Sequence, residues 1–181
     1  MERSPSFNSI NTDPLFETER LRLFHWTVSD LPVLTKILSD PEVIRFIEDG
    51  VPFDQNRTLD FIYKMERSTR QRGYARWKVV ERSTGETIGS CGYGFMEETS
   101  EIELGYLFAR RFWGNGYATE AAAASADYGF NILGFREIIS LTSPENVASQ
   151  KVLQKIGFGI RGREIFDGEE NIVFVKNKSD E

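Results

Sequence analysis

Two arginines and two glycines near the middle of the chain form its most chemically informative segment. Arg110 and Arg111 precede Gly114 and Gly116, and the segment separates a predicted strand (101–109) from a predicted alanine-rich helix (117–133). The first amide groups of a helix lack intrahelical acceptors, and the helix dipole adds partial positive charge there. Because glycines let the backbone approach an anion closely, the segment predicts a pyrophosphate site, with a purely structural turn as the alternative.

Two common nucleotide-binding motifs do not fit this segment. A dinucleotide-binding fingerprint needs a third glycine three positions after Gly116, where the chain has Thr119. A Walker loop ends in Gly-Lys-Ser or Gly-Lys-Thr, and neither triplet occurs in the sequence. The predicted anion site therefore belongs to another class of fold.

Composition argues against several classes of protein. The formal net charge of −6 argues against general nucleic-acid binding, which depends on a basic surface. Cys91 and His25 are the only cysteine and histidine, too few for a structural zinc site, so we expect no metal. One cysteine also excludes an intrachain disulfide. The polar first residues lack the apolar stretch of a signal peptide, so we expect no export, and no window is apolar over the length that a membrane span needs. We therefore expect a cytoplasmic protein without membrane attachment.

The hydrophobic pattern predicts one mixed α/β domain around a central sheet. The domain is predicted at 16–176, with residues 1–15 and 177–181 as tails. Strands are predicted at 21–26, 77–80, 87–91, 101–109, 137–142, 158–166 and 171–175. Helices are predicted after a cap at Ser29-Asp30, at 42–47, from Asp54 to Gly73, at 117–133 and at 146–156. Ser83-Thr-Gly-Glu86 and Asp167-Gly168 are typical of hairpin turns.

The loop and several other blocks resemble a known family. Arg111-x-x-Gly114-x-Gly116 is similar to the Gln/Arg-x-x-Gly-x-Gly/Ala signature of the GNAT acetyltransferase superfamily. Further blocks between 16 and 158 resemble its Rim-type branch, the ribosomal-protein N-terminal acetyltransferases and their relatives. These blocks are Thr18-Glu-Arg-Leu-Arg-Leu23, Ser29-Asp30, Asp40-Pro-Glu-Val43, Glu103-Leu-Gly-Tyr106, Gly116-Tyr-Ala-Thr-Glu-Ala121, Asn146-Val-Ala-Ser149 and Leu153-Gln-Lys-Ile-Gly-Phe158.

The resemblance implies a GNAT fold with a bound acetyl-CoA. In this fold the central strands of a single mixed sheet splay apart, helices flank the sheet, and the pantetheine arm enters the gap like an added strand. Backbone groups near Leu107, Phe108 and Ala109 are then expected to pair with the arm. The pyrophosphate is expected to contact a run of loop and helix residues: Arg111, Trp113, Gly114, Asn115, Gly116, Tyr117, Ala118 and Thr119. Asn146 and Ser149 are expected to hydrogen-bond the pantetheine, with helix capping and a plain surface position as their respective alternatives.

The resemblance also gives candidate catalytic residues. Glu103 aligns with an acidic residue of the family and is the candidate base, with an exposed charge or an ion pair as the alternative. Burial, or the neighbouring carboxylate of Glu101, would have to make it a better base. Tyr106 is a candidate proton donor or substrate wall, or simply a core aromatic. Leu153 stands where many members have a tyrosine that protonates the leaving thiolate, so the general acid is unassigned. His25 titrates near neutrality but lies away from the matched motifs.

The expected reaction is transfer of acetyl from acetyl-CoA to a primary amine, preferably the N-terminal α-amine of a protein or peptide. An α-amine with a pKa of ~7.7–8 is neutral far more often near pH 7 than a lysine at ~10.4, so it needs less help from a base. The alternatives are a small-molecule amine (polyamine, amino acid or antibiotic) and a non-catalytic CoA-binding sensor. Their position in the family's fold is the only reason to expect that the acceptor lies beside Arg76, Trp77 and the loops at 46–53 and 96–100. We expect a monomer or a homodimer.

Overall fold

A mixed sheet organises the chain. The computed structural model describes residues 13–166 and 168–179. Its strands are β1 (Phe16–Glu17), β2 (Leu21–Phe24), β3 (Arg76–Glu81), β4 (Thr87–Met96), β5 (Glu101–Phe108), β6 (Glu137–Thr142), β7 (Gly159–Phe166) and β8 (Glu169–Asn177). Across the sheet they are ordered β1-β2-β3-β4-β5-β6-β8-β7, and only β5 and β6 are parallel neighbours within the described residues. The predicted mixed α/β architecture is confirmed.

Helices flank this sheet. They are α1 (Leu31–Leu38), α2 (Pro41–Ile44), α3 (Gln55–Arg72), α4 (Tyr117–Asn131) and α5 (Val147–Lys155). Short 3-10 helices precede α1 (Val28–Asp30) and α4 (Arg110–Phe112). Within the part of the chain that the structure describes, no helix is both long and apolar enough to cross a membrane.

Each face of the sheet buries its own hydrophobic core. One core, which includes Trp77, lies against α4 and α5, and the other, which includes Leu34, lies against α1, α2 and α3. Side chains alternate between the two faces along a strand, so β5 directs Leu104 and Phe108 into the first core and Leu107 into the second. This alternation decides which side of the sheet each candidate residue of β5 can reach.

Helix α3 begins and ends at the capping residues that the sequence predicts. The Asp54 side chain accepts a hydrogen bond from the amide of Arg57 at 2.8 Å, and Gly73 ends the helix in the left-handed conformation with φ of 81°. Asp30 of the predicted Ser29-Asp30 cap is the N-cap residue of α1, and Val28–Asp30 itself forms a 3-10 helix. The Asp30 carboxylate makes no cap bond to α1 and instead accepts from the Thr27 amide at 2.9 Å.

Both predicted hairpins are formed. The turn between β3 and β4 contains Gly85 with φ of 73°, and Phe166 of β7 lies opposite Glu169 of β8. Gly168, with φ of 82°, belongs to that second turn, whereas Asp167 lies outside the described residues. Residues 1–12 and 180–181 of the predicted tails also lie outside them.

Strands β5 and β6 diverge after a single registered pair. β5 pairs with β4 along its whole length, from Glu101 opposite Met96 to Phe108 opposite Gly89. In contrast, β5 and β6 share only Glu103 opposite Ile139. The carboxyl-terminal half of β5 therefore has an edge with no registered strand partner in the described structure, which is the splayed gap that the resemblance implies.

Candidate functional site

The loop after β5 presents unpaired amide groups at the start of α4. Gly114 and Gly116 have φ of 78° and 80°, and Gly116 is the N-cap residue of α4. The Glu120 amide donates to the Gly116 carbonyl at 3.0 Å, but within residues 13–166 and 168–179 the amides from Gly116 to Thr119 have no acceptor. Residues 113–116 are exposed. Four unpaired N–H groups at an accessible helix start fit an anionic diphosphate.

Side chains within the loop hold its shape. The Trp113 indole Nε1 donates to the Phe108 carbonyl at 2.7 Å, and the Asn115 amide Nδ2 donates to the Phe112 carbonyl at 3.2 Å. The Trp113 backbone amide donates to the Arg110 carbonyl at 3.1 Å. Of the predicted pyrophosphate contacts, Trp113 and Asn115 therefore have an internal structural role, and the Trp113 amide is already used.

A charged cleft lies beside this loop. It encloses about 590 Å³, and its charged lining residues are Lys36, Asp40, Glu86, Arg110 and Arg111. Arg111 forms an ion pair with Glu86, and both side chains are largely exposed. Arg111, which is predicted to contact phosphate, thus lies next to the loop and is paired with Glu86.

The strand register shows which backbone groups of β5 face the gap. The Ala109 amide donates to the Ile88 carbonyl at 2.9 Å, so Ala109, which directly follows β5, forms a hydrogen-bonded pair with Ile88 of β4. In an antiparallel ladder, such pairs alternate with pairs whose backbone N–H and C=O groups point away from the partner strand. Leu107 and Ala109 therefore use their backbone groups on β4, and Tyr106 and Phe108 direct theirs into the gap. Because the Trp113 indole already occupies the Phe108 carbonyl, the groups left for an added strand are the Phe108 N–H and both groups of Tyr106.

Tyr106 joins β5 to α5 beside the gap. Its hydroxyl lies 2.9 Å from the Ser149 Oγ and donates to the Ser149 carbonyl at 3.2 Å. Burial raises the pKa of Tyr106 well above its usual value, despite the Ser149 hydrogen bond, so the phenol stays protonated at neutral pH. The Asn146 Oδ1 accepts from the Ser149 amide at 3.2 Å, which confirms the helix-cap role of Asn146. Ser149 is not a plain surface residue, since its hydroxyl contacts Tyr106.

Glu103 lies on the opposite face of β5 and is paired with a cation. The Arg76 Nη2 donates to the Glu103 Oε2 at 2.7 Å, and each side chain is about one-fifth exposed. The guanidinium lies flat over Gly105, where a Cβ atom would come within 2.7 Å of three of its atoms. Glu101 does not act as the expected like charge, because it pairs with Arg161, which lowers the pKa of Glu101. The ion-pair alternative for Glu103 is therefore observed.

Sequence reasoning placed Arg76 near the acceptor by position only and missed its contact with Glu103. The available signal was the missing side chain at Gly105, two residues after Glu103 on the same face of β5. A glycine in a strand often marks a place where another group approaches closely. Trp77, the other residue placed there, is a core residue with 1% of its surface exposed.

A cleft opens beside Arg76 on the α3 side of the sheet. It encloses about 460 Å³, and its charged or titratable lining residues are His25, Glu66, Arg70 and Arg76. Burial lowers the pKa of His25, so its imidazole is neutral at physiological pH. His25 thus lines the same cleft as Arg76, the residue that pairs with Glu103.

The sequence matches one protein family over most of its length. Residues 20–159 match the family described as acetyltransferase (GNAT) domain. The protein YkkB of Bacillus subtilis (strain 168) is 37% identical over 151 residues, which are 82% of this chain and 87% of that protein. The N-acetyltransferase p20 of Bacillus licheniformis is 33% identical over 80% of this chain and 82% of that protein.

A solved structure shares the whole fold. The acetyltransferase from Agrobacterium tumefaciens str. C58 is 28% identical, covers 98% of this chain and 100% of its own, and superimposes with a TM-score of 0.80. The unpaired amides at the start of α4 and the gap between β5 and β6 agree with the use of acetyl-CoA by this family. The chain belongs to the GNAT acetyltransferase family and is an N-acetyltransferase.

Proposed function

We propose that the protein transfers acetyl from acetyl-CoA to the N-terminal α-amine of a protein or peptide. The unpaired amides from Gly116 to Thr119 would hold the pyrophosphate, and Arg111 would add charge next to it. The backbone of Tyr106 and the Phe108 N–H would hold the pantetheine arm in the gap, with Ser149 beside it. Acetyl-CoA supplies the activated acyl group.

The Arg76–Glu103 ion pair is the observation that carries the choice of acceptor. Arg76 holds the Glu103 carboxylate in place as the candidate base, and an α-amine needs only modest help from a base because its pKa is ~7.7–8. Arg70 lines the cleft on the α3 side, which we take as the acceptor cleft, together with Glu66 and the paired Arg76. The Arg70 guanidinium can donate to the carbonyl oxygen next to a peptide α-amine, a group that a polyamine lacks.

The chain offers one candidate for each proton transfer. Glu103 would accept the proton of the attacking amine on the α3 face of the sheet. Tyr106 would donate to the departing thiolate from the gap, since burial keeps its phenol protonated. Leu153 is fully buried in the core, so the usual tyrosine position has no access to the reaction.

A small-molecule amine is the second candidate acceptor. The spermidine N(1)-acetyltransferase of Escherichia coli (strain K12) is 30% identical over 87% of this chain and 77% of that protein. Glu66 in the acceptor cleft supplies a carboxylate that a polyamine requires.

The Rim-type branch remains part of the proposal through the sequence blocks that resemble it. The structure of RimL, a ribosomal L7/L12 alpha-N-protein acetyltransferase, has a TM-score of 0.77 and 16% identity with this chain, a likeness that concerns the fold alone. The same proposal places the enzyme in the cytoplasm, where protein N-termini are formed, as a monomer or homodimer.

Thiol release from acetyl-CoA by the purified chain tests this function. We expect release with short peptides that carry a free N-terminus and none with the same peptides blocked at the α-amine. Release with spermidine or free amino acids alone would move the acceptor to the small-molecule class. CoA binding without release to any amine would identify a sensor and contradict the proposed enzyme.

Gly105→Ala should disturb the acceptor side without unfolding the chain. The new methyl group would lie within 2.7 Å of the Arg76 guanidinium, which can move because it ends a flexible side chain. We expect kcat/KM for the acceptor to fall by roughly tenfold to a hundredfold, because a small displacement of a positioned group is costly in catalysis. Steady-state kinetics measure this. Gly159→Ala, where no atom lies within 4 Å of the new methyl group, is the matched control and should keep wild-type rates.

A further inference from the structure

The segment before β2 contacts the first turn of α4 through one carboxylate. The Thr18 Oγ1 donates to the Glu120 Oε1 at 2.5 Å, and the Arg20 amide donates to the same oxygen at 2.9 Å. The Arg20 Nε donates to the Glu120 Oε2 at 2.6 Å. Both oxygens of a carboxylate in the first turn of α4 are thus held by residues about one hundred positions earlier in the chain.

Arg20 also contacts the loop itself. Its Nη1 donates to the Asn115 carbonyl at 2.9 Å, and its guanidinium lies 4.6 Å from the centre of the Tyr117 ring. Its Nη2 would lie 3.5 Å from a Cβ atom at Gly116. One side chain therefore contacts Asn115 and Tyr117, the residues on either side of Gly116 where the unpaired amides begin.

The segment is anchored to the sheet on its other side. The Arg82 amide donates to the Arg20 carbonyl at 2.8 Å, and the Arg82 Nη1 donates to the Thr18 carbonyl at 2.7 Å. The Leu21 amide donates to the Thr18 Oγ1 at 3.0 Å, and the Leu21 side chain is fully buried. The contacts with Glu120 and Asn115 therefore start from a rigid support.

Charge gives these contacts a second consequence. Burial disfavours the charged form of Glu120, but the hydrogen bonds from Thr18 and Arg20 outweigh it and lower the pKa of Glu120. The carboxylate is therefore ionised at neutral pH, one residue after the amides that would hold a diphosphate. Arg20 neutralises a negative charge that would otherwise repel a phosphate group at close range.

We propose that Thr18 and Arg20 are positioning residues for the nucleotide diphosphate of the donor, acting through Glu120 and the Asn115 carbonyl. They fix the loop from Asn115 to Tyr117 and balance the charge at the start of α4. This inference rests on the proposed pyrophosphate site. It predicts that substitutions of Thr18 or Arg20 lower activity with acetyl-CoA selectively. A donor without the nucleotide diphosphate does not bind the loop and should be affected little.

The test compares acetyl-CoA with S-acetylpantetheine, which has the thioester arm and lacks the nucleotide diphosphate. In the full-length chain, Arg20→Ala should weaken CoA binding, measured by calorimetry, by roughly tenfold to a hundredfold. The value of kcat/KM should fall by a similar factor with acetyl-CoA and stay within about twofold with S-acetylpantetheine. Arg20→Lys keeps the charge and should restore part of the affinity. Arg22→Ala is the matched control, since the one ion pair of Arg22 among the described residues is with exposed Glu17 at 2.8 Å.

Thr18→Val carries the same test if Arg20→Ala does not fold. Valine keeps the shape of threonine and removes the hydroxyl that joins Leu21 to Glu120, so we expect a smaller loss of CoA affinity, roughly threefold to tenfold. Equal losses with both donors would overturn the positioning role and indicate a general structural role. Wild-type CoA affinity in both variants would also overturn it and leave the proposed function intact. Failure of the wild-type chain to bind CoA would remove the proposed function and this inference together.

Discussion

Gly116→Glu is expected to abolish CoA binding, with a loss of about a thousandfold or more in affinity. Gly116 has φ of 80°, a conformation that residues with a Cβ rarely adopt, so any side chain here strains the loop. A glutamate adds a negative charge beside the four unpaired amides, where it competes with the diphosphate for them and repels it. Unfavourable like-charge contact of several kcal/mol corresponds to this loss. Calorimetric titration with CoA measures it.

Two further variants separate charge from strain. Gly73→Glu introduces the same side chain at a glycine with φ of 81° that ends α3, where no atom lies within 4 Å of the new Cβ. It should lower thermal stability and leave CoA affinity within about threefold. Gly116→Ala adds strain without charge and should give an intermediate affinity. Wild-type affinity in Gly116→Glu would show that the diphosphate binds elsewhere.

The features that sequence analysis predicted well are those with local causes. Asp54 and Gly73 bound α3 because capping depends on the few residues next to a helix end. Gly116 lies at the start of α4 because a glycine in a left-handed conformation suits the turn from a strand into a helix. The helix-cap role of Asn146 has the same local origin. Each of these follows from residue type and spacing, which the sequence displays directly.

The features that sequence analysis missed depend on strand register and on contacts between distant residues. Whether Leu107 or Phe108 directs its N–H into the gap depends on which residue of β4 lies opposite, and hydrophobic alternation describes side chains only. The contact between Arg20 and Glu120 joins positions one hundred residues apart, although both belong to motifs that resemble the family. A sequence motif marks a residue as a candidate functional residue, but only the fold shows which distant residue it contacts.

The face of the sheet occupied by each candidate catalytic residue has a mechanistic consequence. Glu103 and Tyr106 are three residues apart on β5, so their side chains lie on opposite faces. Glu103 contacts Arg76 on the α3 side, and Tyr106 contacts Ser149 of α5 beside the gap. An amine that enters from the α3 side and a thiolate that leaves from the gap would meet a different group on each side. Under the proposed function, the two proton transfers would then belong to two different residues, which makes them separately testable.

Glu103→Gln is expected to lower kcat by roughly a hundredfold or more and to leave CoA affinity within about twofold. Glutamine keeps the shape of the side chain and can still accept a hydrogen bond from Arg76, but it cannot take a proton from the amine. Steady-state rates between about pH 6 and about pH 9 measure the effect. Glu101→Gln is the control, because Glu101 lies on the same face of β5 and pairs with Arg161 instead. His25→Gln tests the other candidate base, which lines the same cleft as Arg76.

A comparison of Glu103→Gln with Arg76→Gln and with the double variant shows whether Glu103 acts as a base or only as the ion-pair partner of Arg76. If Glu103 acts only by holding Arg76 over Gly105, either single substitution removes the same interaction. The two single variants and the double variant would then lose similar amounts of activity, as coupled residues do in a double-mutant cycle. If Glu103 accepts the proton, Arg76→Gln retains the base and should lose much less activity than Glu103→Gln. Wild-type rates in Glu103→Gln across the pH range would exclude Glu103 and direct the search to His25, since the lowered pKa of His25 keeps that imidazole in the neutral form that a base requires.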